Sequence, residues 1–587
     1  MVLASLGMTL IACSGSIEYG GPAGSAGSGG AGAGAGFSSG AAAGTPGASG
    51  AGGAGGSGVS TGAGGAGGTA GAAGSAGANP VLDTGLPGRA LIRRLSNREY
   101  DATIATLLGD TTGYAGDFPG DTIVHGFTNN SDVQDVGPAL VEQYVLAAEK
   151  VAEKAAGNVD VLLGCPLAEG EACVADFIER FGKRAWRRPI AAEERVELLR
   201  VFTDGQAAFD AVTGVKLLVQ AFLVAPSFLY RAEVGVPVSG APYAALTSWE
   251  LASRLSYFLT GTMPDDVLLA AAEAGELSTP EGIAAQAERL LAAPVARVQV
   301  TEFFSGWLNL FAVLRLQREA EQFPAWNTTL PQLFSDETRA FASKVVFDGA
   351  GDLATLLTAS YTYGDPSLAA YYGGTAGPLE GGLARIELPP DRRAGLLTQA
   401  SFLATHSKEI QTDPVARGKF VRERLLCQGI DPPPPDVVIT PPTITPGTTA
   451  RDRFAEHEAN PICAGCHVLI DPVGLAFENY DPIGQWRDTE LGKSIDASGD
   501  LTDTDVEGPF VGVVEMAGKL AQSSLVSECF VRQWFRFAFG RVESDADDPR
   551  IATIAGGFAG ANGQVRSLLV ALTQTPDFRY LALESTP

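Results

Sequence analysis

Histidine and methionine are scarce: the 587 residues contain only His125, His406, His457 and His467, and Met1, Met8, Met263 and Met516. Imidazoles so few and so scattered offer no Ser-His-Asp spacing. No Gly-x-Ser-x-Gly nucleophile elbow stands in the folded part, so a hydrolase has almost no residue support. After the first dozen residues there is no uninterrupted run of 18 apolar residues that would cross a bilayer. Positive charge is short as well. Lys plus Arg number 41 against 67 Asp plus Glu, and a formal charge of −26 repels a phosphate backbone and leaves no basic patch interleaved with aromatics. Nucleic acid is not an expected partner. With 7 Cys in a chain this long, a disulfide-scaffold miniprotein is excluded too.

Residues 21–80 lack Asp, Glu, Lys and Arg altogether, and Gly, Ala and Ser fill 51 of those 60 positions. Such a tract cannot bury enough apolar surface to offset its chain entropy. The foldable chain is therefore the 507 residues from Val81 onward, enough for roughly three to five domains. Ahead of the tract, residues 1–13 form an apolar stretch ending Leu10-Ile11-Ala12-Cys13 and followed by small residues. This resembles the end of a bacterial lipoprotein signal, with Cys13 acylated and holding the protein to a membrane surface. No Lys or Arg precedes the apolar part, and the alternative is a frayed apolar N-terminus. Residues 14–80 would serve as a disordered tether of about 40 Å r.m.s. for some 60 residues. The expected location is the cell envelope, as an outer-membrane lipoprotein facing the periplasm or the surface.

Among the other cysteines, Cys165 and Cys173 lie eight apart across a turn and read as a local disulfide. Cys427 and Cys529 read as a long-range pair once Cys463 and Cys466 are committed elsewhere. Buried free thiols are the alternative for each pair.

The folded part reads as mainly helical and multidomain, with long irregular connections. Ser96-Asn97-Arg98-Glu99 and Thr247-Ser248-Trp249-Glu250 are capping boxes, each followed by helical apolar spacing that ends at Gly109 and Gly261. Further helices are expected from near Ala191, Thr213, Pro280, Ser335, Asp391, Asp413, Gly512 and Gln564, and the best period-two stretch is 383–388. The last helical turns before Pro432-Pro433-Pro434-Pro435 should span 418–427. Expected boundaries are 81–235 and 236–390 for two helical domains, 391–500 for a cytochrome c-like domain and 501–587 for a C-terminal helical domain. There is one internal echo at a constant offset of 350: Val215, Leu218, Phe222, Pro226, Phe228 and Tyr230 against Val565, Leu568, Leu572, Pro576, Phe578 and Tyr580. It reads equally as a duplication or as a common helix stop.

The strongest chemical signal is Cys463-Ala464-Gly465-Cys466-His467. Two thiols at this spacing can add to the two vinyl groups of haem while the next residue places an imidazole under the iron. Zinc held by His457, Cys463, Cys466 and His467 is an alternative, as is a redox dithiol. If His467 is the proximal ligand, His457 or Met516 is the candidate for the distal one, followed by His406 or His125, or the distal position is open. The acidic cluster Asp496, Asp500, Asp503, Asp505 and Glu507 could hold calcium but lacks EF-hand order, which favours a solvated acidic loop. Arg187-Arg188 could meet a propionate or an acidic partner, and more often such a pair forms structural ion pairs.

The residues that follow the motif, Asp471 through Arg487 (DPVGLAFENYDPIGQWR), resemble a signature of the large secreted proteins grouped around planctomycete cytochrome c domains. That family carries a consecutive series of domains of unknown function. The likeness extends to Gly126-Phe127-Thr128-Asn129-Asn130, Arg184 through Pro189, Ser227 through Arg231, Leu251 through Leu259, Arg417-Gly418, and Phe539-Gly540-Arg541. It covers about residues 90–587 and marks a myxobacterial-like lipoprotein member. It implies one covalent haem c and a family identity rather than a reaction. Two departures stand out: Ile470 occupies a position where relatives often have Met, and a single CxxCH makes a multi-haem relay through this chain unlikely. The expected role is electron transfer at the cell envelope with an unknown redox partner. The alternatives are a haem-dependent oxidase or peroxidase acting on an extracellular polysaccharide, other polymer or sugar, and a surface binding protein with a structural metal site.

Overall fold

Both capping boxes form, and each opens a joint that recurs in the fold. The computed structural model describes residues 87–89, 92–432, 442–459 and 461–583, apart from the side chains of 456–462. The signal with Cys13, the 14–80 tract, residues 433–435 of the proline run and the His457 side chain lie outside the described residues. At Ser96 the side-chain oxygen accepts from Glu99 N at 3.3 Å and the Glu99 carboxylate accepts from Ser96 N at 2.9 Å. Helix Asn97–Leu108 then runs to Gly109 at φ 70°. Thr247 and Glu250 repeat the arrangement for Ser248–Thr260, which stops at Gly261 with φ 67°.

The echo of 350 residues is structural. Helix Ala211–Val224, the short turn of helix Pro226–Leu229 and strand Tyr230–Arg231 correspond to Val565–Thr573, Pro576–Arg579 and Tyr580–Ala582. The first strand pairs antiparallel with Arg93–Arg94, just before the first capping box, and the last pairs with Tyr243–Ala245, just before the second. Leu95 N donates to Leu229 O at 2.8 Å, and Leu246 N donates to Arg579 O at 2.9 Å. A buried arginine clamps the same turn in each copy: Arg187 donates to Ser227 O at 2.7 Å and Phe228 O at 3.1 Å, and Arg254 to Asp577 O at 2.5 Å and Phe578 O at 3.0 Å. The shared strand register and amide pair are what duplication produces and a helix stop alone requires neither, whereas the two clamping arginines come from unrelated positions, Arg187 after helix Glu171–Ala185 and Arg254 within Ser248–Thr260.

The first joint closes a bundle of helices Pro138–Ala155, Glu171–Ala185, Ala192–Ala208 and Ala211–Val224, with its own apolar core from Leu95 to Met263. The second encloses most of the chain, and a larger core runs from Phe127 to Leu581. Within it Phe303, on helix Pro294–Trp307, stacks on Trp534, on helix Ser524–Phe539, at 3.6 Å between ring centroids. A small antiparallel sheet has Leu383–Glu387 between Tyr361–Gly364 and Thr375–Glu380. From Gly88 on, the described residues cluster as one compact unit. Among the described residues no helix is long and apolar enough to cross a membrane. Disulfides join Cys165 to Cys173 and Cys427 to Cys529, with Cα–Cα distances of 6.0 and 5.3 Å.

The protein is mainly α-helical, with long loops. Two helix starts differ from expectation. The helix expected from Ser335 begins earlier, as Leu330–Asp348, with Pro331 in its first turn. The helix expected from Asp391 is absent there; a 3-10 turn at Leu396–Thr398 and helix Ala400–Thr405 follow instead. Gly395 holds φ 50° where a side chain would strike Leu356 O, and the buried Arg393 guanidinium donates to Thr398 O and Gly484 O. Those tertiary contacts outweigh local helix spacing.

Glu337 is fully buried on Leu330–Asp348, and its carboxyl accepts from Tyr372 OH at 2.5 Å. Burial pushes its pKa up to about 7, against the hydrogen bonds and Arg393 that lower it. A carboxyl raised in the folded state binds its proton more tightly there than in the unfolded chain. Stability is then full below the ordinary carboxylate range and falls as pH rises toward about 7. Thermal melts should show this decline, and Glu337→Gln should flatten it, leaving the variant no less stable than the parent at pH 8.

Candidate functional site

The CxxCH residues lie on helix Pro461–Leu475, which has Pro461 in its first turn and Pro472 inside its last. Cys463, Cys466 and His467 fall at i, i+3 and i+4 and so share one face of the helix. All three are half-buried, between exposed Gly465 and Val468. A Cβ on Gly465 would meet nothing within 4 Å. Cys463 and Cys466 are free thiols, whereas the other four described cysteines are paired.

His467 Nδ1 lies 2.9 and 3.0 Å from the two carboxylate oxygens of Asp471, one helical turn on. Asp471 is 1% exposed. A carboxylate there accepts a hydrogen bond from Nδ1–H, fixes the ring, and leaves Nε2 as the nitrogen free to meet a metal. This pairing was missed in the sequence, although its signal was present as a His-x-x-x-Asp spacing on a helix.

The signature after the motif frames this helix. Helix Pro414–Phe420 crosses it so closely that a Cβ on Gly418 would sit 2.2 Å from Ile470 O and one on Gly474 would sit 1.9 Å from Pro414 O. Fully buried Arg417 donates to Phe477 O at 3.0 Å, Leu403 O at 3.2 Å and Tyr480 O at 3.3 Å. Glu478 accepts from Thr412 Oγ1 at 2.7 Å and Arg487 at 2.9 Å, with Arg417 at 3.7 Å. Burial raises the Glu478 pKa, and the two arginines oppose the rise. Burial likewise lowers Arg417, to about 10. Asp481 accepts from the amides of Ile483 and Gln485, each at 2.9 Å, which closes the turn. Arg422, on the π-helical turn Val421–Leu425, donates to Leu469 O at 2.9 Å and Thr502 O at 2.7 Å.

Two of the other candidate ligands are packed among apolar side chains. Met516 is fully buried in the larger core, on helix Gly512–Leu520. His406 packs against Phe402 and Phe420, its Nδ1 2.9 Å from Phe402 O, and burial lowers its pKa to about 4. Helix Ala450–Ala459 carries His457. Among the described residues no cluster of three metal-ligating side chains occurs. The acidic loop has structural partners: Asp505 accepts from Ser523 and Ser524 at the start of Ser524–Phe539, and Asp496 pairs with Arg451 at 3.3 Å. Arg188 pairs with Glu194 at 2.7 Å, and Arg187 clamps its turn.

The residues present suit a covalently attached haem: two free thiols and an imidazole share one helix face, half-buried, and a buried carboxylate orients the ring. Five family models match consecutive stretches of the chain, each described as a protein of unknown function: DUF1587 over residues 93–157, DUF1595 over 173–233, DUF1592 over 246–373, DUF1588 over 393–490 and DUF1585 over 508–578. The chain thus carries the multidomain series of the planctomycete cytochrome-associated families. No curated protein and no solved structure matches it.

The close helix crossing sets an expectation for stability. Gly474→Ala should lower the melting temperature by several degrees, corresponding to about 1–3 kcal/mol of overpacking. Gly465→Ala, facing open space, should leave it unchanged or slightly raised.

Proposed function

We propose that this is an exported haem c protein that passes single electrons at the cell envelope. The observation that carries the reading is the His467–Asp471 pair on the same helix as two free thiols. Cys463 and Cys466 anchor the haem, and His467 ligates iron through Nε2. A bound haem supplies a one-electron couple whose potential follows its axial ligands and their hydrogen bonds. Asp471 keeps the Nδ1 proton in place and holds the ring plane, and the charge of its carboxylate makes Nε2 the more basic ligand. Arg417, Gly418 and Gly474 hold the helix that bears all four residues.

Two disulfides suit an oxidising compartment, where covalent haem is also installed. Acylation at Cys13 would tether the protein to a membrane face, at the outer membrane. A second reading, a haem-dependent oxidase or peroxidase acting on an extracellular substrate, draws support from the same carboxylate. A more basic proximal imidazole favours the oxidised iron and chemistry at an open distal side. The identity of the distal ligand, His457, Met516 or none, separates the two readings.

Protein from an exporting, haem-maturing host should give the pyridine haemochrome spectrum of a covalent haem c, and the double variant Cys463→Ala/Cys466→Ala should lose it. Absence of covalent haem in the parent would defeat the proposal. Carbon monoxide should leave the reduced spectrum unchanged in an electron carrier and shift it in the enzyme reading. Asp471→Asn should retain haem and raise its midpoint potential by tens of millivolts. In fractionated cells Cys13→Ser should move the protein from membrane to soluble fractions.

A further inference from the structure

The Cys427–Cys529 disulfide lies in the wall of a cleft of about 620 Å³, a volume suited to a small organic molecule. Three matched segments meet there: the loop at His125, the π-helical turn Val421–Leu425 with the residues after it, and helix Ser524–Phe539 with the loop that follows. His125 and Cys427 both hold left-handed backbone, at φ 49° and 52°, a conformation that non-glycine residues adopt chiefly where the surroundings impose it and that collects at ligand sites.

The charges in this wall are unevenly matched. Arg532 reaches Asp548 at 2.8 Å, Glu528 at 3.2 Å and Glu543 at 3.4 Å. Arg536 pairs with Glu543 through two nitrogens, at 2.5 and 2.6 Å. Glu423 pairs with Lys419 at 3.4 Å. Each lining carboxylate therefore has its cation. Arg424 has only the His125 main-chain oxygen, which accepts from its Nη1 at 2.6 Å, and among the described residues no carboxylate lies within ion-pair distance of it. An arginine with no carboxylate at ion-pair distance, in a concave site, is a local seat for one negative charge even in a chain of net charge −26. The paired carboxylates leave no room for a second. Apart from Leu426 and Leu525 the lining side chains are polar or sulfur-bearing, and no Phe, Tyr or Trp offers a stacking surface among them, so the body of the ligand is hydrogen-bonding rather than a flat apolar ring.

We propose that this cleft binds a carboxylate-bearing, hydroxyl-rich small molecule of the sugar-acid class, with its carboxylate on Arg424 and its hydroxyl groups toward Glu528 and Arg532. The site stands apart from the haem reading, and no described residue of the motif helix lines it. Arg422, two residues before Arg424, donates to Leu469 O, two residues beyond His467.

Calorimetric titration of the full chain with D-glucuronate, D-glucose and inorganic phosphate tests this, on protein with and without haem. Glucuronate should bind one to one, at least tenfold more tightly than glucose, and haem content should not matter. Arg424→Gln removes the charge and leaves a polar side chain, and it should weaken glucuronate about tenfold and leave glucose unchanged. Should that variant not fold, the preference for glucuronate over glucose in the parent carries the test, with Glu528→Gln expected to weaken both sugars. Equal binding of the two sugars, no binding of glucuronate, phosphate bound more tightly than glucuronate, or unchanged affinity in a folded Arg424→Gln would each overturn the proposal.

Discussion

Buried arginines that donate to main-chain carbonyls hold this fold together. A mainly helical chain with long loops must bring irregular backbone inside, where a carbonyl without a strand or helix partner has lost its water. A guanidinium carries five donors in a rigid fork and can satisfy several such oxygens at once. Arg187 and Arg254 do so at the two equivalent turns, Arg393 at Thr398 and Gly484, Arg417 at Phe477, Tyr480 and Leu403, and Arg422 at Leu469 and Thr502. Where carboxylates join, as Glu233 does at Arg254 and Glu478 at Arg417, they offset the charge that burial would otherwise penalise.

The same device positions the chemistry. The motif helix contributes two thiols and an imidazole, but its place is set by Arg417 and Arg422 from below and by Gly418 and Gly474 at the crossing. The signature from Asp471 to Arg487 is thus divided in purpose. Asp471 holds the His467 imidazole, whereas Glu478, Tyr480, Asp481 and Arg487 fasten the chain that leaves the helix.

The large region ahead of the motif is part of the same unit. Its first joint and the final one share strand register and amide pairing, and the C-terminal strand returns to Tyr243–Ala245. The Phe303–Trp534 stack adds an apolar tie between the central and terminal helices.

What the sequence determined by itself was local. The two capping boxes, their glycine stops, the period-two strand at 383–388 and the CxxCH face all depend on residues within a few positions of one another, and each is legible as a spacing. The echo was legible too, but not its meaning, which required strand partners outside the repeated stretch. Tertiary structure alone decided the rest. It replaced the helix expected at Asp391 with irregular chain, since Gly395 and Arg393 answer to Leu356 and Gly484 rather than to their neighbours. It buried Met516 in the larger core, turned Arg187 into a clamp, and left Arg424 as the arginine without a carboxylate in its cleft. Burial, charge pairing and carbonyl satisfaction are properties of surroundings assembled from residues tens to hundreds of positions apart, and no local spacing encodes them.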